Sequence, residues 1–231
     1  MKKTRIVLAM AMAMLFMTAC GSDSAAEKTN AAAATEAATE SAAQEKAEAA
    51  TEAASETKAA DETKAAEAVS GEYDGKLHGP YLMTTCGQST GSVMLHMVAV
   101  QKGLTSTDEH TLTAADIKAG EAATLIITTG TSGKGMGAAG TDIDAEIARC
   151  TELAEAAKSA GMTVVCAHVE GMSRRTDSAD QASIDNIIGL ADVIICVDDS
   201  DSDGLFSDYA AANNVPIIKT ADALSLGEYM E

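Results

Sequence analysis

The sequence predicts an α/β domain with a doubly wound, mainly parallel sheet between two layers of helices. Short apolar runs rich in β-branched residues recur through the C-terminal part of the chain. Segments with the apolar spacing of helices separate these runs, and polar loops follow them. Near-continuous apolar strands suit a parallel sheet that is buried on both faces, and strands that alternate with helices build such a sheet. A three-layer α/β fold is therefore predicted.

Five apolar runs are predicted to be the core strands, and they span residues 81–85, 123–129, 162–168, 192–197 and 215–219. The stretch between Gly103 and Gly120 is polar and ambiguous, and it predicts only a short edge strand within residues 106–112. Pro216 stands near the start of the last run, where a missing backbone donor does least harm.

Helices are predicted between the strands, over residues 92–102, 142–160, 179–190, 205–213 and 221–230. Gly161 follows the second of them, where a glycine commonly ends a helix. The arrangement resembles flavodoxin-like and Rossmann-like folds, whose ligands bind outside the carboxyl ends of the strands, beside the point where strand order reverses. The loops over residues 85–91 and 130–142 are expected to meet at that switch point.

The N-terminal residues 1–19 are predicted to be a lipoprotein signal peptide. A short basic region precedes an apolar run, residues 6–17, that is too short to cross a bilayer as a mature helix. The run ends in Met17-Thr18-Ala19-Cys20, which resembles a bacterial lipobox, so Cys20 is the predicted site of diacylation. The alternative is an ordinary cleavable signal with an unmodified cysteine. The protein is expected outside the cytoplasm, anchored to the bacterial cell membrane through the acyl chains of Cys20.

Residues 20–72 are predicted to comprise the lipidated cysteine and a low-complexity tether. The tether consists mainly of Ala, Glu, Thr, Ser and Lys, and no aromatic residue occurs between Cys20 and Tyr73. Such a composition cannot bury enough apolar surface to offset the entropy lost on ordering. The α/β domain is therefore predicted to occupy residues 73–231.

The charge of the chain limits its partners. The formal net charge is −19, and residues 73–231 contain 23 acidic and 9 basic side chains. A protein that binds nucleic acid would need a basic surface, so nucleic acid is not an expected partner. Direct contact with an anionic membrane surface is disfavoured for the same reason.

The segment TGTSGKGMGAAGTDID, residues 129–144, predicts an anion-binding loop. It contains a nominal GxGxxG at 135–140, but the first glycine lies too far from the strand for a dinucleotide site, and Lys134 lacks the Ser or Thr that a P-loop requires. Small residues before a helix still allow backbone N–H groups to converge on an anion. Three of the nine basic residues also fall in loops at this end of the sheet. The predicted ligand-binding residues are Gly87, Gln88, Ser89, Ser132, Lys134, Gly135, Gly137, Arg174 and Arg175; the alternative is a flexible surface loop.

No catalytic residue, metal ligand or cofactor is assigned from the sequence. Cys86 ends a strand before a helix, which would lower the pKa of its thiol, but no partner base is evident. Residues 199–204 reproduce the first half of a calcium loop, yet Ala210 stands where a bidentate glutamate belongs. Flavin is disfavoured because the loops contain only Phe206 as a stacking aromatic.

Three segments together resemble a family of bacterial lipoproteins and secreted proteins that is known only as a domain of unknown function. The segments are a Gly-Gln-Ser after the first strand (Gly87–Ser89), the Lys-Gly-x-Gly-Ala-Ala-Gly stretch from Lys134 to Gly140, and the pair Arg174 and Arg175. The resemblance covers about residues 78–231. It implies a flavodoxin-like or Rossmann-like extracytoplasmic domain and carries no established activity.

Two functional hypotheses follow from these observations. The first is a lipid-anchored protein that binds a small anionic ligand for a membrane transporter or sensor, and the second is an extracytoplasmic flavodoxin-like enzyme acting on a nucleotide or on a phosphorylated or carboxylate compound. Binding is favoured because no nucleophile and base stand in a recognisable arrangement. A protein-interaction module is a third alternative.

Overall fold

The computed structural model describes residues 73–231, so the predicted signal peptide, Cys20 and the tether lie outside the described residues. The domain is built on a six-stranded, all-parallel sheet with the strand order β2-β1-β3-β4-β5-β6. The strands are β1 (Tyr81–Thr85), β2 (Ser106–Asp108), β3 (Thr124–Thr128), β4 (Thr163–His168), β5 (Val193–Val197) and β6 (Ile217–Thr220).

Five α-helices connect the strands: α1 (Gly91–Gln101), α2 (Gly133–Ala139), α3 (Ile143–Ser159), α4 (Ser178–Ile187) and α5 (Leu205–Asn213). Short 3-10 turns complete the connections, among them Gly171–Arg174 after β4, Asp198–Asp201 after β5 and Ser225–Tyr229 near the C-terminus. Within residues 73–231, no helix has the length and apolarity needed to cross a membrane.

Two apolar cores lie on opposite faces of the sheet. One core contains Leu125, Ile127 and Val164 from the strands together with Leu153 of α3 and Ile184 of α4. The other core contains strand residues that point the opposite way, and it is covered by α1 and by the C-terminal 3-10 turn. Strands buried on both faces explain why the sequence shows near-continuous apolar runs. The predicted three-layer, doubly wound α/β fold is confirmed.

The predicted elements differ from the structure mainly at the sheet edges. The edge strand β2 is three residues long, because only the pairs from Tyr81 to Met83 of β1 reach it. The predicted last helix is a 3-10 turn.

The glycine-rich segment is a second difference from the sequence-based expectation. Residues Gly133–Ala139 form the short helix α2 instead of an open loop. The Ser132 hydroxyl caps this helix by accepting the Gly135 N–H at 3.1 Å, and Gly140 ends it in the left-handed conformation, φ 70°. A good N-cap and a C-terminal glycine offset the low helix propensity of three internal glycines.

The strand order reverses at β1. The chain runs from β1 outward to β2, and then from β3 across the sheet in the opposite direction to β6. The loops that follow β1 and β3 are therefore neighbours, as predicted, and they form the switch point of the sheet.

Candidate functional site at the switch point

The loops after β1 and β3 are joined directly by backbone contacts. Gln88 and Thr131 form an isolated antiparallel bridge, and the Ser132 N–H donates to the carbonyl oxygen of Gly87 at 2.7 Å. A Cβ atom on Gly135 would overlap the carbonyl oxygen of Gln88, so glycine is required where α2 approaches the first loop. These contacts fix the first two loops relative to each other.

The loop after β4 adds the charged groups. Glu170 Oε2 accepts hydrogen bonds from the Thr90 hydroxyl and from Arg174 Nε, both at 3.0 Å. Arg174 Nη1 donates to the carbonyl oxygen of Thr131 at 2.7 Å, so this arginine reaches the loop after β3. We call Ser89, Thr90, Thr131, Glu170 and Arg174 the switch-point cluster. It contains residues from all three loops.

Glu170 is largely buried and charged. Its side chain is 9% exposed, and Oε1 has no hydrogen bond of good geometry to another described residue. Burial alone would raise the pKa of Glu170, but interactions with Ser89, Arg174 and Thr90 outweigh burial and lower it. The carboxylate also lies beside the first turn of α1, because Oε1 would be 3.3 Å from a Cβ on Gly91. The chain therefore places its own anion at the positive end of α1.

Arg174 is the partly exposed cation of the cluster. Its side chain is 31% exposed, and Nη2 makes no hydrogen bond to another residue within 73–231. Gly130 allows the close approach of this side chain, since a Cβ on Gly130 would come within 2.7 Å of Arg174 Cβ. Two groups of the guanidinium thus hold it in place, and one remains free to contact a ligand.

Asp180 of α4 holds the loops around Arg174. One carboxylate oxygen accepts the N–H and hydroxyl of Thr131, at 2.8 and 2.7 Å, and the other accepts the N–H and hydroxyl of Thr176, at 2.9 and 3.1 Å. Asp180 is 2% exposed. Burial would raise the pKa of this carboxyl, but the four hydrogen bonds lower it. The loops after β3 and β4 are therefore attached to the same side chain.

A second buried carboxylate, on α3, holds the loop after β1 in place. Glu146 of α3 is 3% exposed and accepts hydrogen bonds from the Gly87 N–H, from Gln88 Nε2 and from Arg149 Nη2. Arg149 also donates to the carbonyl oxygens of Thr85 and Leu112. The side chain of Gln88 is therefore used within the protein and does not face solvent.

Arg175 lies apart from its neighbour. It forms a two-pronged ion pair with Asp203, with both N–O distances 2.7 Å, and donates to the carbonyl oxygen of Ser200 at 2.8 Å. Its side chain is 6% exposed and lies over the Phe206 ring, 5.8 Å from the centroid. The charge of Arg175 is therefore already matched within the loop after β5.

The remaining predicted site residues occupy different environments. Ser89 is fully buried, and the Ser132 hydroxyl caps α2. Lys134 is exposed on α2, with no ion pair to another described residue. A side chain at Gly137 would meet no atom within 4 Å, so the structure does not require glycine there. The structure thus brings Ser89 and Arg174 together in the switch-point cluster. Lys134 is exposed on α2, and Arg175 lies against the loop after β5.

The candidate acids, bases and nucleophiles near the strand ends are buried. His168 is fully buried between the Thr129 hydroxyl and the carbonyl oxygen of Gly171, and burial lowers its pKa. Cys86 is also fully buried, and contact with the Cys150 thiol together with burial raises the pKa of the Cys86 thiol. Both groups are therefore neutral at physiological pH.

The acidic run after β5 is used in internal contacts. Asp199 accepts the Met172 N–H at 2.9 Å, Asp201 accepts the Phe206 N–H at 2.8 Å, and Asp203 pairs with Arg175. These contacts join the loops after β4 and β5 and begin α5. They explain the aspartate spacing without a calcium ion.

A histidine with two carboxylates lies at another surface. His78 Nε2 is 2.9 Å from Asp74 Oδ2, and His78 Nδ1 is 3.4 Å from Glu231 Oε1. The two carboxylates approach opposite ring nitrogens, and all three side chains are more than half exposed. The contacts tie the first described segment to Glu231 through the imidazole ring of His78.

Two concave regions lie away from the switch point. A cavity of about 130 Å³ is lined by Pro80, Thr105 and Met162, near the amino ends of the strands. A shallow groove of about 420 Å³ runs beside β6, past Asn214 and Pro216. Neither includes the charged groups of the switch-point cluster, and polar groups that converge are what orient a ligand. We therefore take the cluster as the candidate site.

Several residues that shape the site were not predicted to belong to it. Glu146 carried a readable signal, because it lies on the same helical stripe as the apolar Cys150 and Leu153 of α3. Glu170 carried a signal too, because it lies four residues before the predicted Arg174, a spacing at which ion pairs form on a helical turn. Asp180 gave no such signal, since an acidic residue in the first turn of a helix is ordinarily a solvated one.

Comparison with known proteins identifies a family for this chain but gives no activity. A GDSL-like lipase from Bacteroides thetaiotaomicron is 14% identical over 60% of this chain and 66% of its own, with a TM-score of 0.31. A psychrotrophic esterase, EstA, from a Pseudoalteromonas species is 9% identical over 60% of this chain and 76% of its own, with a TM-score of 0.29. The chain thus spans a little under two-thirds of the lipase, and likenesses this weak bear on neither activity nor substrate.

No curated protein matches the sequence. Residues 78–231 match the model of a domain of unknown function, DUF6305, which covers the sheet, the switch-point cluster and the C-terminal turn. The match spans most of the chain and includes the Gly-Gln-Ser, glycine-rich and double-arginine segments that suggested the resemblance. The chain belongs to the DUF6305 family.

Proposed function

We propose that this protein is a membrane-anchored, extracytoplasmic lipoprotein whose α/β domain binds a small ligand with an anionic group at the switch-point cluster. The group would be a carboxylate or a phosphate ester, and the ligand would be passed to, or sensed by, a membrane partner such as a transporter or sensor. The proposal concerns binding and assigns no reaction to the domain.

The observation that carries this proposal is the position of Arg174. The guanidinium is held by Glu170 and by the carbonyl oxygen of Thr131, and its Nη2 group bonds to no other residue within 73–231 at the switch point of the sheet. A fixed arginine with a free N–H edge loses little entropy when it binds a carboxylate or phosphate oxygen. Ligands of open α/β sheets bind at this position.

The charge balance makes the proposed site selective and weak. Glu170 neutralises Arg174 in part, so the net attraction for an anion depends on further donors. Lys134 is exposed on α2, which follows the loop after β3, and it forms no ion pair with another residue within 73–231. Arg175 is omitted from the proposed site because Asp203 already binds its guanidinium.

The enzymatic alternative receives little support from the described residues. A nucleophile must reach its substrate, whereas Ser89 and Cys86 are both fully buried. His168 is equally buried and contacts Thr129 and Gly171 instead of a serine or cysteine.

A ligand screen tests the binding proposal. The thermal midpoint of the protein would be measured with inorganic phosphate, sugar phosphates, dicarboxylates and amino acids, because a ligand of the folded state raises the midpoint by mass action. Arg174→Lys should weaken a ligand found in this way about tenfold, since lysine keeps a charge beside Glu170 but loses the second N–H edge. Lys118→Ala, an exposed lysine near the amino ends of the strands, should leave binding unchanged. Equal affinities of the parent and Arg174→Lys would refute the site.

The anchor is tested separately. Replacing Cys20 with Ala should abolish incorporation of labelled fatty acid and either release the protein from the membrane fraction or stall its processing. Undiminished labelling of the Cys20→Ala protein would exclude a lipid anchor at this residue.

A further inference from the structure

The outer face of helix α1 is mainly apolar, and its polar residues are His96 and Gln101. Its sequence, GSVMLHMVAVQ, contains no Asp, Glu, Lys or Arg, and its inner face buries Leu95, Val98 and Ala99 against the sheet. A helix at a protein surface normally carries charged residues on its outer face. The outer face of α1 is therefore unusual for a helix in the outer layer.

The exposed positions of α1 form one strip. Met94, Met97 and Val100 are 37%, 66% and 56% exposed, and a spacing of three residues places them along the same side of the helix. They are three of the five large apolar side chains that are exposed within residues 73–231. We call Met94, Met97 and Val100 the α1 strip.

A fourth exposed apolar residue lies on the same face of the sheet. Leu224 is 61% exposed, and it directly precedes the 3-10 turn Ser225–Tyr229 that packs against α1. Gly227 of that turn lies against Val98, and its carbonyl oxygen accepts a hydrogen bond from Lys102 Nζ. The α1 strip and Leu224 therefore lie on the same face of the sheet.

The helix α3, on the opposite face of the sheet, carries charged residues at its exposed positions. The exposed positions of α3 include Asp144, Glu152, Glu155 and Lys158. The same chain thus covers one outer helix with charges and leaves the other uncharged. Solvent alone does not explain the difference.

We propose that the α1 strip is the contact surface of a homodimer, in which α1 packs against α1 of a second copy across a two-fold axis. Closed two-fold dimers are the commonest assemblies of soluble proteins, and they place the same patch of each copy in contact. Met97, the most exposed residue of the strip, then lies near the axis.

The charge distribution favours a second copy over other occupants. Residues 73–231 carry 23 acidic and 9 basic side chains, so two copies repel each other except where a surface is uncharged. A basic or acidic partner would find no charge on α1 to pair with. Helices that bind membrane surfaces carry Lys, Arg or Trp, and α1 has none of these. The uncharged α1 strip is therefore best matched by the same strip of a second copy.

The size of the surface sets the strength of the dimer. Three side chains and Leu224 cover less than the roughly 800 Å² that each partner buries in a stable interface of standard size. The expected dimer is therefore weak and depends on concentration. Methionine suits such a surface, because its flexible side chain adapts to the partner without a fixed shape.

Cross-linking in the bacterial cell tests the proposal on the full chain. Met97→Cys places a thiol near the proposed axis, and a short bis-maleimide should then convert the protein to a species of twice its mass. The cysteines Cys86, Cys150, Cys166 and Cys196 are buried and should give a low background in the parent protein. Glu152→Cys, exposed on α3, is the matched control and should give no more product than the parent.

A charge in the strip separates a true interface from chance encounters. Val100→Asp in the Met97→Cys protein should reduce the dimeric product several-fold, because it buries a carboxylate in each copy. Three results would overturn the proposal: equal cross-linking of Met97→Cys and Glu152→Cys, a product whose mass fits a different partner, or cross-linking that Val100→Asp does not change.

Discussion

Arg174 and Arg175 are adjacent in sequence, yet they interact with different parts of the molecule. Arg174 binds Glu170 and the carbonyl oxygen of Thr131, and almost a third of its side chain is exposed. Arg175 binds Asp203 through two hydrogen bonds, and 6% of its side chain is exposed. One arginine thus joins the loops after β3 and β4, whereas the other joins the loops after β4 and β5.

The difference shows that a pair of basic residues is not evidence for one basic site. Neighbouring side chains in an irregular segment point in different directions, so each is paired by whatever acid lies on its own side. The two arginines differ in the number of guanidinium N–H groups that form no hydrogen bond to another described residue. Arg174 Nη2 has no hydrogen-bond partner among the residues that the structure describes, while Asp203 binds the forked edge of Arg175. This contrast leads to four predictions.

The largest effect is expected from Asp180→Ala, which removes the side chain that holds the loops after β3 and β4. The substitution leaves the N–H and hydroxyl groups of Thr131 and Thr176 without their acceptor. The Thr131 groups are buried, whereas Thr176 is exposed and its groups can bond to water, so the free energy of unfolding should fall by about 2–4 kcal/mol. Denaturant or thermal unfolding measures this change.

The matched control for Asp180 is Asp177, which caps the same helix from an exposed position. Asp177→Ala removes acceptors of the Ala179 and Asp180 N–H groups and should cost about 1 kcal/mol, the usual value of a helix cap. If Asp180→Ala cost no more than Asp177→Ala, the carboxylate of Asp180 would not be holding the loops together.

The next effect is expected from Arg175→Ala, which should destabilise the fold although its residue belongs to a loop. The variant loses the pair with Asp203, the bond to the Ser200 carbonyl and the contact with Phe206. Asp203 is half exposed, which limits the value of the ion pair, so the total loss should be about 1–3 kcal/mol.

A double-mutant cycle with Asp203→Ala apportions this loss. The two substitutions should be less than additive, because each already removes the same pair. Lys118→Ala, at an exposed ion pair with Glu121, should change stability by less than about 0.5 kcal/mol. An Arg175→Ala protein as stable as Lys118→Ala would show that Arg175 is an ordinary surface arginine.

The fold could be predicted from the sequence because its signals are local and repeated. The run from Val193 to Val197 is apolar on both faces, and the helix that ends at Asn213 has the spacing of a surface helix. Each such element is specified by its own residues, and a parallel sheet is the arrangement that buries all the strands. The position of the switch point then followed from the short strand near Ser106.

The pairing within the site could not be predicted in the same way. Whether Arg175 is free depends on Asp203, which lies 28 residues away and comes close only because the loops after β4 and β5 pack together. The glycine-rich segment illustrates a competing local effect. Its glycines suggested an open loop, but the Ser132 cap and the two alanines before Gly140 were sufficient to form α2.

A third prediction sharpens the contrast between the arginines through their acidic partners. Glu170→Gln removes the negative charge beside Arg174 while keeping an oxygen that can accept hydrogen bonds. Affinity for an anion found by the ligand screen should rise several-fold, about 1 kcal/mol, because the ligand no longer competes with a neighbouring carboxylate. Titration calorimetry with that anion measures the change. Asp203→Asn, the equivalent change beside Arg175, should leave the affinity as it was; equal gains for both variants would mean that the site does not distinguish the two arginines.

The smallest expected effect concerns the pH dependence of stability through Asp203. Hydrogen bonding by Arg175 lowers the pKa of Asp203 to about 2, below the ordinary value of 3.8. Because the pKa is lower in the folded state, the carboxylate contributes its stability above about pH 4 and loses it as the pH falls towards 2. The difference in thermal midpoint between the parent and Asp203→Asn should therefore be constant from pH 7 to 5 and should shrink below pH 4. Comparing the two proteins at each pH cancels the titration of the other carboxyls, and a difference that stays constant or widens in acid would show that Arg175 does not hold Asp203 in its charged form.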